Sequence, residues 1–220
     1  MLQASSIKFL TDLEINNDKP WFEENRSRYE ATKVDMEALV SKLIEEIAIF
    51  DAPIGSLQVK QCTFRINRDV RFSKNKAPYK NNMGADFSAG GKKASEPGYY
   101  FHFQPGRSFA GGGFYMPEPA ELAKVRQEID YGFEEWKTIL ENKTFKKYYP
   151  AGLEGMPTLV RPPKGYDENN EAINFLKMKG FFVSLPITDA ELQSKTLVKD
   201  VARAFEIMKP MIDFLKRAIQ

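Results

Sequence analysis

A chain of 220 residues, 42% hydrophobic and 28% charged, is long enough to bury a sizeable core and too apolar to be disordered. Its longest charge-free apolar run, 181–187, is far too short to span a bilayer, and Met1–Ser6 lacks the basic-then-apolar pattern of a secretory leader. One cysteine, Cys62, excludes an internal disulfide and an all-cysteine metal site, so a reducing cytoplasm is the expected compartment.

The first third of the chain reads as helix. Ile7, Phe9, Leu10 and Leu13 follow helical spacing until Asn16-Asn17, and Asp18-Lys19-Pro20 opens a second run. Its apolar face, from Trp21 and Phe22 through Ile47, predicts one helix of about 30 residues ending near Asp51-Ala52-Pro53. Trp21 and Phe22 read as core anchors.

From Thr63 the period changes. Phe64, Ile66, Val70 and Phe72 alternate with Arg65, Asn67, Asp69 and Arg71, which predicts a half-buried strand with Arg68 on its apolar side. Further strands are expected at 83–88, at 99–103 and, after the Pro105-Gly106 turn, at 107–115. Helices are expected from Pro119, at 131–140, 144–149, 170–179 and 196–218, with an irregular stretch at 161–166 and a short strand at 180–185. No linker or repeat interrupts the chain. The expected class is α+β: one domain over 1–220, an antiparallel meander flanked by helices, with long N-terminal and C-terminal helices.

Charge is concentrated. The formal net charge is +2, but 60–93 carries nine basic residues against Asp69 and Asp86, so that segment is +7 and the remainder −5. Such a bipolar chain steers anions to one face. By strand parity Arg65, Asp69 and Arg71 share a side, and guanidinium forks match carboxylate or phosphate oxygens. With Lys76, Tyr79 and Lys80 from the following loop they form an expected anion cradle, in which Asp69 orients an arginine. Arg68, alone on the apolar side, requires a bulge or an acidic partner. A structural arginine–aspartate network is the competing explanation.

The stretch 64–80, Phe-Arg-Ile-Asn-Arg-Asp-Val-Arg-Phe-Ser-Lys-Asn-Lys-Ala-Pro-Tyr-Lys, resembles the signature of a bacterial and fungal family known as domain of unknown function 2461. So do Asn17–Arg26, Gly98–Gly106, Gly111-Gly112-Gly113 and the Pro163-Lys164-Gly165-Tyr166 loop, in order along the chain. The resemblance implies a single α+β domain and an important arginine-rich segment. It implies no substrate or reaction.

His102 is the only histidine and lies on the polar face of its strand, where it is the one candidate acid or base; a hydrogen-bonded structural histidine is the alternative. One histidine and one cysteine fall short of a zinc site, an oxygen-only magnesium site stays open although no paired-carboxylate motif points to it, and the cofactor is unknown from the sequence. Cys62 reads as a small buried hydrophobe. Gly111–Gly113 lacks the lysine and hydroxyl of a phosphate loop and reads as a bulge or close-packing device. Lys164 and Tyr166 either wall the same pocket or cap the sheet.

Three functions follow. The first is a site for a small phosphate- or carboxylate-bearing ligand at Arg65, Arg68, Asp69, Arg71, Lys76, Tyr79, Lys80 and His102, with or without catalysis. The second is nucleic-acid binding, with Phe64, Phe72, Tyr79 and Tyr99 as stacking platforms among basic residues; a sequence pI of 8.4 weighs against it. The third is a protein-interaction scaffold whose arginines form internal salt bridges. No membrane partner is expected.

Overall fold

Apolar residues spaced three and four apart set the helices. In the computed structural model, which describes residues 1–154 and 157–220, α1 (Ala4–Ile15), α2 (Lys19–Glu24) and α3 (Arg26–Ala48) open the chain. The single long helix expected from Pro20 is thus two. Asp18 caps α2 by accepting from the Trp21 amide, Pro20 sits in its first turn, and Asn25 breaks the helix, its Nδ2 donating to the Trp21 carbonyl. A short α4 (Val59–Cys62) follows.

The sheet comprises β1 (Met83–Phe87), β2 (Gly98–Phe103), β3 (Ser108–Phe114) and β4 (Phe181–Ile187), all neighbours antiparallel in the order β1-β2-β3-β4. Between β3 and β4 run α5 (Pro119–Tyr131), α6 (Phe133–Glu141), α7 (Lys143–Tyr148) and α8 (Ile173–Leu176). The helix expected over 170–179 shrinks to α8. After β4 come α9 (Asp189–Leu192) and α10 (Leu197–Ile219), the latter carrying Pro210 within it. The protein is α+β, as its alternating and helical periods predict.

Period two divides the sheet into unlike faces. Ala85, Phe87, Tyr99, Phe101, Phe103, Ala110, Phe181 and Val183 are fully buried on one side. Phe205 of α10 packs there against Phe87 and Tyr99, with ring centroids 6.0 and 5.2 Å apart. Any side chain at Gly112 would collide with Met208 of α10, so that glycine sets how closely helix and sheet approach. Buried side chains from Leu2 to Leu215 form one cluster. A buried carboxylate ties its layers: Asp51 Oδ2 accepts from Tyr99 Oη and from Lys216 Nζ, each at 3.0 Å. The opposite face of the sheet presents Asp86, Tyr100, His102, Phe109 and Phe182, none of them fully buried. No helix among the described residues is long and apolar enough to cross a membrane.

Candidate ligand-binding site

The arginine-rich segment is not a strand. Residues 63–80 form an irregular hairpin beside β1, held by isolated bridges Thr63↔Ala85 and Asn67↔Tyr79 and by backbone bonds from Arg68 to Pro78 and from Lys80 to Ile66. Two local devices defeat the predicted ladder. Asp69 and Asn75 side chains accept from the Arg71 and Ala77 amides two residues on, curling the chain into Asx turns, and Pro78 on the returning arm has no amide to donate. Of the four residues on the apolar parity only Ile66 is buried; Phe72 is 96% exposed.

These turns scatter the expected cradle. Among the described residues Arg68 meets neither a bulged sheet strand nor an acidic residue. Its Nη1 donates to the Ala77 carbonyl at 3.0 Å and its Nη2 to Ser73 Oγ at 3.4 Å, closing the hairpin. Arg71 is exposed and holds Asp69 through two bonds, Nε to Oδ1 at 3.0 Å and Nη2 to Oδ2 at 2.7 Å, and that guanidinium lowers the Asp69 carboxyl below the ordinary carboxylate range. Lys76 donates to the Val70 carbonyl. Tyr79 is 6% exposed and stacks on Phe22 of α2 at 3.8 Å. Tyr99, expected as a stacking platform, is wholly buried.

Arg65 and Lys80 stand apart from this group. They line a recess of about 180 Å³ with Phe64, Asn82 and Tyr100, and neither forms an ion pair among the described residues. Burial and the Arg65 charge both lower the Lys80 amine below its ordinary value. The Lys80 and Lys92 amines lie 5.6 and 5.9 Å from the Phe64 ring centroid. Lys92 is committed to backbone, bonding the carbonyls of Lys60 and Thr63.

Phe64 and Tyr100 also line a larger cavity, about 470 Å³, over the second face of the sheet. His102, Asp86, Glu96, Phe109, Tyr115 and Phe182 share it. Register explains the gathering: Asp86 pairs with Tyr100 across β1–β2, and His102 with Phe109 across β2–β3. Glycine makes room for the rings, since a Cβ at Gly111 would lie 2.6 Å from Phe182 Cζ and one at Gly84 would strike the Tyr100 hydroxyl. His102 stacks on Phe109 at 4.8 Å.

His102 Nδ1 lies 3.3 Å from Tyr100 Oη and Nε2 lies 3.1 Å from Gln104 Oε1. A neutral ring protonated on Nε2 satisfies both contacts, and burial lowers the imidazole below its ordinary value. Burial, with Asp86 and Tyr115 adding, pushes the Tyr100 phenol up to about 12. Asp86 Oδ1 accepts from the Ser88 amide at 3.1 Å and its hydroxyl at 2.6 Å, yet desolvation raises the carboxyl above its ordinary range. Cys62 is buried, which pushes its thiol up to about 11 and leaves it unreactive near neutrality. No three His, Cys, Asp or Glu side chains converge on a metal position among the described residues.

A family model described as a conserved hypothetical protein, DUF2461, matches residues 5–214. The chain belongs to that family. No curated protein and no solved structure matches it. Two motif stretches of the family resemblance meet in space here: Asn17 and Phe22 from one clasp Tyr79 from the other.

Of the eight residues singled out from sequence, the fold brings Arg65, Lys80 and His102 around two adjoining hollows that share Phe64 and Tyr100. It leaves Arg68, Asp69, Arg71 and Lys76 in the hairpin and Tyr79 in the core. Lys164 and Tyr166 line a separate hollow with Arg126 and Asp130. Sequence reasoning missed Asp86, Phe109 and Phe182. Parity sets the face only within each strand; the register between strands is what puts Asp86, Phe109 and Phe182 on the His102 side of the sheet.

Proposed function

We propose that this protein binds a small molecule with an anionic group and a flat apolar body. Arg65 and Lys80 receive the phosphate or carboxylate, and the body lies against Tyr100, Phe109 and Phe182 beside His102. The observation that carries this reading is that Phe64 and Tyr100 line both the cationic recess and the aromatic cavity, so that a charged hollow lies beside an apolar one. Two neighbouring cations without carboxylate partners repel each other, and an anion between them relieves that repulsion. The cavity is of the size that small-ligand sites occupy, about 300–1,000 Å³. Nucleic-acid binding is disfavoured by the burial of Tyr79 and Tyr99, two of its four expected platforms.

Thermal-shift screening of phosphorylated and carboxylated aromatic compounds tests the proposal. Concentration-dependent stabilisation that disappears in an Arg65→Ala, Lys80→Ala double variant is the expected result. Equal stabilisation of the double variant overturns it.

A further inference from the structure

We infer that the aromatic cavity accepts a small organic cation, an amine or quaternary ammonium group, so that the ligand of the site carries both signs of charge; the second half of that statement rests on the reading above. The cavity is lined by two carboxylates, Asp86 from the 60–93 segment of net charge +7 and Glu96 from just beyond it, and among the described residues by no lysine or arginine. Rings supply much of the rest, beside Ala94, Ser95, Gly98 and Gly113. Tyr100 and Phe109 lie 5.8 Å apart at 45°, Phe182 meets Phe109 edge-on at 6.2 Å, and Tyr115 meets Phe182 edge-on at 6.0 Å. The faces of such rings are electron-rich and attract cations, most strongly where water is excluded.

The carboxylates retain acceptor capacity. Asp86 uses Oδ1 for Ser88, and Glu96 uses Oε1 for the Gly90 amide; Oδ2 and Oε2 accept no bond among the described residues. Burial favours the neutral His102 ring, which with its proton on Nε2 bonds both Tyr100 and Gln104. Lys80 and Lys92 lie against the Phe64 ring and are not among the residues that line the cavity. A ligand ammonium group beside Asp86 therefore meets acceptors and π-faces without a competing protein cation. An anion placed in the same cavity meets two carboxylates and no donor charge.

Binding of this kind depends on pH. The groups facing Asp86 are Ser88, Glu96, Tyr100 and Cys62, with Lys92 exerting a weaker opposite field on Cys62. Burial favours the protonated Asp86 carboxyl, whereas a bound cation favours the ionised one. Affinity for a permanent cation must then rise as Asp86 ionises and fall in acid.

The test uses the full chain and two probes, phenethylammonium and its neutral analogue 2-phenylethanol, titrated by calorimetry. Phenethylammonium should bind at one site, roughly tenfold or more tighter than the alcohol, and lose a similar factor in Asp86→Asn. Tyr100→Phe, which keeps the ring, should retain most of the affinity. Equal binding of the two probes overturns the inference, as does undiminished binding by folded Asp86→Asn. Should that variant not fold, the wild-type protein decides: affinity that falls on acidification supports the inference, and affinity that is flat across the carboxylate range overturns it. Phenyl phosphate, titrated in parallel, reports only on Arg65 and Lys80. Loss of phosphate binding with ammonium binding intact removes the anionic half alone, and the reverse outcome removes the cation site alone.

Discussion

Asn17 pairs with both backbone groups of Tyr79, 62 positions away: its Nδ2 donates to the carbonyl and its Oδ1 accepts from the amide, each at 3.0 Å. A side-chain amide used in this way imitates a neighbouring strand. It anchors the returning arm of the hairpin where Pro78 prevents a continuous ladder. Replacing Asn17 with Ala strands a partly buried donor and acceptor together, which should cost about 2–4 kcal/mol. Urea unfolding should show a lower midpoint at unchanged slope. A variant as stable as the parent would mean that Phe22 stacking alone seats Tyr79.

Asp86 is held where ionisation is unfavourable. Its carboxyl in the folded chain titrates above its value in the unfolded chain, so between the two values the folded state binds more protons and stability falls as pH rises. Asp86→Asn should therefore raise the melting temperature near neutrality, and the gain should shrink as pH drops towards the ordinary carboxylate range. A gain that persists undiminished in acid would assign it to packing instead of charge.

His102 behaves in the opposite sense. Burial lowers its folded value, so the unfolded chain binds more protons between the two values and stability declines as pH falls through the ordinary histidine range. With a single histidine in the chain, one imidazole Hε1 resonance reports the titration without assignment work. We expect its midpoint below that of a free histidine peptide. A midpoint above it would mean that Asp86 and Glu96 outweigh burial and hold the ring as imidazolium.

The sheet was legible because its strands obey one rule. In 83–88, 99–103, 107–115 and 180–185, alternate residues are apolar, glycine or small, and each run ends in a turn signal. The segment 63–72 alternates just as well and is not a strand. Asx turns at Asp69 and Asn75 and the missing amide of Pro78 act at single positions, whereas alternation is an average over many. The break at Asn25 escaped for the same reason, since the apolar face of α2 continues into α3 in spite of it. In the site, Arg65, Lys80 and His102 were recognisable as charge or as a lone imidazole. Asp86 was not, because nothing in the chain order says that it faces Tyr100.

Calorimetric titration with phenyl phosphate tests the central claim most directly, in the wild type, Arg65→Ala/Lys80→Ala and Arg71→Ala. We expect one saturable site in the wild type, its loss in the double variant, and its retention in Arg71→Ala, whose guanidinium is already committed to Asp69. No saturable binding, or binding that survives the double variant and vanishes with Arg71, would contradict the placement of the site.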